Sequence, residues 1–209
     1  MLNLMHYFFG LQQLIIDFLS KKLTYRRKQA TVKNEILARA LGLKKTSAPR
    51  IIDATAGLAQ DSFMIACLGF AVTLIERSPA VYAAINEAMM RAKQDVVLLP
   101  IINRMNFIQA DSITYLSSLK LDERPDIVYL DPMFPERKKS ALNKKAMRTL
   151  HDLVGEDLDA NQLLQAALTC ATKRVVVKRP RLAGPLGNTK PSHSLTGSSS
   201  RFDVYQIGT

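Results

Sequence analysis

The sequence has few of the residues that build metal centres and disulfide frameworks. It contains two cysteines and three histidines in 209 residues, and no CxxC spacing. We therefore expect neither a structural zinc site nor a disulfide-stabilised fold, and we predict no bound metal. Cys67 and Cys170 each stand alone in an apolar stretch, which is typical of reduced, buried thiols and predicts a cytoplasmic protein.

The first nineteen residues are apolar but lack the features of a targeting or membrane segment. No early positive charge and no small-residue cleavage site is present, so a signal peptide is not indicated. Four polar residues interrupt the run, which argues against a membrane span: Asn3, Gln12, Gln13 and Asp17. We expect this stretch to be amphipathic and to pack on the body of the protein.

Acidic residues are scarce relative to basic ones. The chain has 29 Lys and Arg against 18 Asp and Glu, a formal net charge of +11. An excess of this size favours a polyanionic partner such as nucleic acid. The excess is strongest from residue 20 to 50, where apolar residues from Val32 to Leu41 recur at helical spacing before Gly42. We predict a short basic, amphipathic segment over residues 1–49 and one domain over 50–209.

Strands and helices alternate from residue 50 onward. Short apolar stretches predict strands at 50–54, 71–76, 105–110, 126–130 and 173–178, with helical patterns between them. This alternation predicts an α/β fold with a mostly parallel, doubly wound sheet. The Gly-, Pro- and Ser-rich stretch 182–200 precedes a further strand at 201–207, which predicts a C-terminal antiparallel strand.

Ligands bind at the carboxyl ends of strands in such a sheet, so the residues that follow each strand are candidates. The first turn consists of small residues around Gly57 and opens a helix, which lets a ligand approach backbone N–H groups. The turn matches neither GxGxxG nor GxxxxGK, so a dinucleotide or nucleoside triphosphate is not indicated. Small residues in such a turn also suit packing alone.

Acidic residues follow the next two strands. Glu76, with Arg77 beside it, comes roughly 20 residues after the glycine turn, a position suited to binding both hydroxyls of a ribose. The alternative is a solvated surface acid. Asp111 and Ser112 follow the third strand, where they suit recognition of an adenine edge or an N-cap for the next helix, and the two roles are compatible.

The most informative stretch follows the fourth strand and reads DPMFP. Its two prolines stiffen the backbone and fix carbonyl directions. A carboxylate and carbonyls accept hydrogen bonds from an exocyclic amine, and Phe134 offers a face for a planar base. The stretch predicts amino methylation of a nucleobase, with Asp131, Pro132 and Phe134 as catalytic candidates. A proline-rich turn without chemistry is the alternative.

A basic run without acids follows directly, from Arg137 to Arg148. It is either a solvated face or a set of RNA phosphate contacts, which we predict for Lys138, Lys139, Lys144, Lys145 and Arg148. A serine-hydrolase triad is not indicated, because no Gly-x-Ser-x-Gly motif is present. Closely spaced carboxylate pairs for a metal cluster are also missing.

Six blocks occur in order between Tyr25 and Tyr205: DATAGLAQDSF, LIERSP, VYLDPMFPERKKSALNKKAMR, LVGEDLDA, ATKRVVVKRP and RFDVY. Together they resemble the ribosomal RNA small subunit methyltransferase J family. The resemblance implies a Rossmann-like class I fold and S-adenosylmethionine (SAM) as cofactor. It also implies N2 methylation of one guanosine in 16S rRNA of the small ribosomal subunit. The implied cofactor-binding residues are Gly57, Gln60, Asp61, Glu76, Arg77, Asp111, Ser112 and Asp131.

The chain departs from the family pattern in the first turn, which usually reads AGLGRD. Ala59 and Gln60 stand here in place of Gly and Arg, and we expect Ala59 to fit the turn with a negative φ. The family also usually has a longer segment before the Arg26-Arg27-Lys28 motif. Two alternatives stay open: methylation of adenine N6 or another nucleic-acid amine, and a non-enzymatic RNA-binding module. We expect a monomer.

Overall fold

A computed structural model describes residues 16–133 and 159–208. The strands in these ranges are β1 (Ile51–Asp53), β2 (Val72–Glu76), β3 (Met105–Gln109), β4 (Ile127–Leu130), β5 (Arg174–Pro180), β6 (His193–Thr196) and β7 (Ser200–Gln206). The helices are α1 (Lys21–Gln29), α2 (Ile36–Ala40), α3 (Gln60–Cys67), α4 (Pro79–Ala92), α5 (Leu99–Ile102), α6 (Ser112–Ser118) and α7 (Ala160–Cys170).

The seven strands of the described residues form one sheet in the order β3-β2-β1-β4-β5-β7-β6. Strands β1 to β5 pair in parallel, whereas β7 is antiparallel to both β5 and β6. The predicted α/β class, the mostly parallel sheet and the antiparallel C-terminal strand are confirmed. The strand order reverses between β1 and β4, and such a reversal opens a crevice at the carboxyl ends of the strands.

Strands β1 and β4 lie at the centre of this crevice and are buried along their whole length. Their apolar sequences are typical of parallel strands that are covered on both faces. Helices α3 and α4 pack on one face of the sheet, and α6 and α7 contact each other on the other. The rigid central strands therefore hold the residues that follow them in fixed positions.

The N-terminal segment contributes to the same core as the sheet. Ile16, Phe18, Leu23 and Leu37 are buried there, and Phe18 stacks on Phe63 of α3. The periodic stretch predicted as one helix forms only α2 at its end. The side chains of Thr31 and Asn34 bond each other's backbone N–H, and this local turn replaces the helix. The division into residues 1–49 and 50–209 stays a prediction.

Gly42 follows α2 and its C-cap Leu41 with a φ of +65°, as expected for a residue just after a helix. None of the helices in the described ranges is long and apolar enough to cross a bilayer. Within the same ranges, no three metal-ligating side chains come together.

Candidate active site

A first cavity lies at the carboxyl ends of β1, β2 and β3. It encloses about 550 Å³ including its open mouth. Six of the eight predicted cofactor-binding residues line it: Gly57, Glu76, Arg77, Asp111, Ser112 and Asp131. The structure therefore brings together side chains that follow four different strands.

Glu76 ends β2 with a carboxylate that is fixed from two sides. Its Oε2 accepts a hydrogen bond from the backbone N–H of Gly57 at 3.2 Å, and its Oε1 accepts one from Ser78 at 2.8 Å. Gly57 has a φ of +51°, a conformation that costs glycine little, so the turn after β1 comes close to β2. The buried carboxylate thus has a defined orientation at the cavity wall.

Asp111 and Ser112 both have structural roles at the start of α6. Asp111 is the N-cap and accepts from the backbone N–H of Thr114 at 2.8 Å, a bond that lowers the pKa of Asp111. The Ser112 hydroxyl donates to the carbonyl of Ala54 at 2.7 Å and so ties α6 to β1. The N-cap interpretation of these residues is confirmed, and both still line the cavity.

Arg77 closes one side of the first cavity. Its guanidinium donates to Asp159 at 2.6 Å and thereby joins the end of β2 to the residue before α7. Both side chains line the cavity. Arg77 therefore connects two walls of the cavity through its ion pair with Asp159.

A second, wider cavity lies on the other side of Asp131, at the ends of β4 and β5. It encloses about 2130 Å³ including its open mouth, and it is bounded by α1, α3 and the turn 197–200 between β6 and β7. The two cavities share Thr55, Gly57, Asp131 and Met133. Gln60 and Asp61, predicted to bind cofactor, line the second cavity instead.

An ionic network fills the floor of the second cavity. The ammonium of Lys178 donates to Asp61 Oδ2 and to Asp131 Oδ2, each at 2.7 Å. The Tyr129 hydroxyl also donates to Asp61 at 2.7 Å, and Arg26 of α1 reaches Asp61 at 3.4 Å. One cation therefore joins the carboxylate that follows β4 to a carboxylate at the start of α3.

The network determines the ionisation of its members. Burial by itself raises the pKa of Asp61, but the charge and hydrogen bond of Lys178 outweigh burial and lower that pKa to about 2. Burial lowers the pKa of Lys178, yet the two carboxylates overcome this effect and raise it above its usual value. Lys178 is therefore a fixed positive charge beside Asp131 over the whole physiological range.

The backbone of the DPM segment is also held in place. The N–H of Asp131 donates to the Thr55 hydroxyl at 2.6 Å, across from β4 to the turn after β1. Pro132 is buried directly after it. Asp131 is thus oriented through its backbone by Thr55 and through its side chain by Lys178.

Known proteins with the same sequence pattern identify the family. A family model described as a putative SAM-dependent methyltransferase matches residues 3–207. A ribosomal RNA small subunit methyltransferase J of Aeromonas salmonicida is 50% identical over 91% of this chain and 76% of its own length. One of Thioalkalivibrio sulfidiphilus is 47% identical over 92% of this chain and 76% of its own. The chain belongs to the methyltransferase J family.

Solved structures agree with this membership. A SAM-dependent methyltransferase of Neisseria gonorrhoeae is 38% identical, with a TM-score of 0.73 over 92% of this chain and 74% of its own. The magnesium protoporphyrin IX methyltransferase of Synechocystis, solved with bound SAM, is 13% identical with a TM-score of 0.52 over 83% of this chain and 76% of its own, and shares the fold alone. The predicted family, the fold and SAM as cofactor are confirmed.

The residues that line the first cavity of this methyltransferase J family member suit SAM. Ile113, Met133 and Leu163 provide apolar walls for a purine, and the oriented carboxylate of Glu76 suits the two ribose hydroxyls. The backbone at Gly57 leaves room for close approach of a ligand. Which residues contact the cofactor stays a prediction, for Asp61 as for the others, and Asp61 also forms ion pairs with Lys178 and Arg26.

Several predicted residues lie outside the described ranges. They are the stacking candidate Phe134 and the predicted RNA contacts Lys138, Lys139, Lys144, Lys145 and Arg148. Their roles stay predictions.

The conformation expected for the first turn is wrong. Ala59 has a φ of +54° and a ψ of +18°, and it is fully buried as the N-cap of α3. The left-handed conformation is needed because the chain must turn sharply from Gly57 into α3. For this reason α3 begins at Gln60, directly after Ala59.

Sequence reasoning missed two further groups. Asp53, the last residue of β1, is almost fully buried and accepts from Ser62 at 2.6 Å; burial raises its pKa to about 7. The bridge from Lys178 to two carboxylates was also not predicted. A signal for both existed, because Asp53 ends β1 and Lys178 directly follows the part of β5 that pairs in parallel with β4.

Proposed function

We propose that the protein transfers a methyl group from SAM to the exocyclic N2 of a guanosine in small-subunit ribosomal RNA. One observation carries the proposal: a cavity that suits SAM and a second, wider cavity meet at Asp131. Methyl transfer needs the donor and the acceptor on opposite sides of one point. The net charge of +11 and the names of the 45–50% identical relatives support RNA as the acceptor.

Catalysis depends largely on how the protein positions the amine relative to the methyl group. Bound SAM supplies a methyl group that is already activated by its sulfonium. Asp131 accepts a hydrogen bond from the amine and so directs its nitrogen toward the first cavity. The same carboxylate is placed to receive, directly or through water, the proton that the amine loses. Pro132 fixes the direction of the carbonyls beside it.

Lys178 acts through Asp131. Its ammonium donates to Asp131 Oδ2 at 2.7 Å and thereby orients the carboxylate toward the amine. Phe134 is proposed to stack on the target base, and Lys138, Lys139, Lys144, Lys145 and Arg148 to contact RNA phosphates. We further propose a cytoplasmic, monomeric protein that is not attached to a membrane.

Transfer of labelled methyl from SAM to small ribosomal subunits that lack their native modification tests the proposal. Digestion of the RNA should give N2-methylguanosine as the labelled nucleoside. Labelled N6-methyladenosine would refute the guanine target. Binding of RNA without binding of SAM in calorimetry would instead favour a non-enzymatic RNA-binding module.

The Asp131→Asn variant tests the role of the carboxylate. We expect kcat to fall about 100-fold or more because the amine loses its proton acceptor, while the Kd for SAM stays within about threefold. Asp122→Asn is the matched control, since Asp122 is exposed and precedes β4, at the end of the strands opposite the cavities. Normal turnover by Asp131→Asn would refute the assignment.

A further inference from the structure

The second cavity is larger than the transfer of a methyl group to an amine requires. Its floor is the network of Lys178, Asp61 and Asp131, but its walls extend to α1 and to the turn 197–200. The space inside it that is accessible to water is about 920 Å³, near the upper end of the 300–1,000 Å³ range of small-ligand sites. The cavity therefore has space for more than the edge of one base.

Charges inside the cavity are paired with one another. Arg26 binds Glu35 at 2.9 Å and Asp61 at 3.4 Å, and Lys178 bridges Asp61 and Asp131. Apolar groups complete the inner wall, with Phe202 almost fully buried and Ile36 packed against the core. An interior whose charges are paired and whose wall is partly apolar suits an uncharged planar base. A phosphate would compete with the carboxylates for their cations.

The rim of the cavity has the opposite character. Helix α1 carries five Lys and Arg residues and no acid: Lys21, Lys22, Arg26, Arg27 and Lys28. Lys22 lines the cavity, is exposed and has no ion-pair partner among residues 16–133 and 159–208. On the facing side, Ser198 and Ser199 are exposed and offer hydroxyls. Cations and hydroxyls are the groups that hold the phosphates and sugars of a nucleic acid.

An exposed aromatic residue extends this rim along α1. Tyr25 is 70% exposed and stands three residues after Lys22, so the two side chains are neighbours on the helix surface. Stacking of unpaired bases on such rings stabilises single-stranded RNA complexes and distinguishes RNA from other polyanions. A basic helix with an exposed tyrosine at a cavity mouth is therefore suited to an unpaired RNA strand.

We propose that the second cavity takes the acceptor nucleotide, flipped out of its helix, and that α1 holds the flanking RNA strand through Lys22 and Tyr25. The inference rests on the proposed function and adds to it the site, the wall elements and the unpaired state of the substrate. A flipped base reaches Asp131 at the floor while its own phosphate stays at the rim. The N-terminal segment thereby becomes part of the substrate site.

Binding of a fluorescent single-stranded RNA of twelve nucleotides to the full chain tests this inference. The dissociation constant is measured over a series of salt concentrations, with and without saturating S-adenosylhomocysteine. Lys22→Ala should weaken binding about threefold to tenfold and reduce the slope of log affinity against log salt by about 0.7. Tyr25→Ala should weaken binding about fivefold or more without changing that slope, because it removes stacking and no charge.

Lys93→Ala is the matched control. Lys93 is exposed at the far end of α4, on the edge of the sheet opposite the cavities. Its variant should bind RNA like the wild type, and S-adenosylhomocysteine should not compete with RNA in any of the proteins. The Kd for SAM should be the same in all three variants, since none lines the first cavity.

Equal losses in Lys22→Ala and Lys93→Ala would overturn the inference, because they would indicate attraction by net charge alone. Unchanged binding in both Lys22→Ala and Tyr25→Ala would overturn it as well, as would competition between RNA and S-adenosylhomocysteine. Failure of the proposed function is a separate result. If the wild type transfers no methyl to RNA but binds it through Lys22 and Tyr25, the site stands and the reaction does not.

Discussion

The two cavities that meet at Asp131 are built in different ways. The first is formed by residues that directly follow β1, β2, β3 and β4, and its key carboxylate, Glu76, is held by backbone N–H groups. The second depends on side-chain ion pairs between distant parts of the chain. Lys178 and Asp61, for example, are 117 positions apart. The proposed cofactor site is thus made largely by turns at strand ends, whereas the proposed acceptor site requires side-chain contacts between distant parts of the chain.

The difference has an energetic consequence. A substitution at Glu76 removes the contact with the ligand and weakens the hydrogen bonds from Gly57 and Ser78, but both donors belong to the backbone and keep their positions. The network of Lys178, Asp61 and Asp131 is made of side chains, so a substitution in it removes a partner of the remaining members. Removing its cation takes away the ion-pair partner that Asp61 and Asp131 share, and Asp61 then keeps Tyr129 and the more distant Arg26.

Replacement of Lys178 by Met should have the largest effect. We expect kcat to fall about 100-fold because Asp131 loses its orientation, with the Kd for SAM within about threefold. The free energy of unfolding should fall by about 2 kcal/mol, less than for a fully buried pair because Lys178 retains 26% side-chain exposure. Kinetics and denaturant unfolding measure the two effects.

The pH dependence of this stability loss has a defined sign. The pKa of Asp61 is lowered from 3.8 to about 2, so the ion pair stabilises the fold above pH 4 and is lost as the pH falls toward 2. The difference between wild type and Lys178→Met should therefore shrink below pH 4. Lys173→Met, which removes an exposed pair with Asp126 just before β5, should change neither kcat nor stability by much. Equal effects of the two substitutions would contradict the contrast between the cavities.

Replacement of Glu76 by Gln tests the first cavity and should have a smaller effect. Loss of the charged acceptor should raise the Kd for SAM about 10- to 100-fold, while kcat at saturating SAM stays within about threefold. Glu87→Gln is the control, because Glu87 is exposed on α4 and pairs only with Arg91 among the described residues. If Glu76→Gln lowered kcat and left the Kd unchanged, the division into a binding cavity and a reaction cavity would be wrong.

The first cavity was largely predictable from the sequence. Glu76, Asp111 and Asp131 each follow an apolar strand, and the topological rule for doubly wound sheets brings such residues together. The resemblance to methyltransferase J added the cofactor. Of the predicted cofactor-binding residues, Gln60 and Asp61 line the second cavity alone, and both belong to the first turn of α3 rather than to the turn before it.

The second cavity was not predictable by the same means. Its walls come from α1 and from the turn 197–200, and no periodic pattern reveals which surface a short basic helix will cover. The bridge from Lys178 depends on the register of β5 against β4, where Leu130 pairs with Val177 and so places Lys178 level with Asp131. Helix α5 was also missed, because its four residues are too few for a helical period to be visible.

The turn between β1 and α3 belongs to both cavities and gives the smallest predicted effect. Ala59 adopts a left-handed conformation there, which costs a non-glycine residue about 1–2 kcal/mol. Ala59→Gly removes that strain, but it also removes a buried methyl group and makes the unfolded chain more flexible. Ala66→Gly in α3 has the same two losses, since Ala66 is equally buried, yet it relieves no strain. The two variants should therefore differ in free energy of unfolding by about 1–2 kcal/mol in favour of Ala59→Gly. Equal stabilities of the two variants in denaturant unfolding would mean that the turn holds Ala59 without strain. The family's glycine at this position would then need another explanation, such as close approach of the cofactor to the backbone.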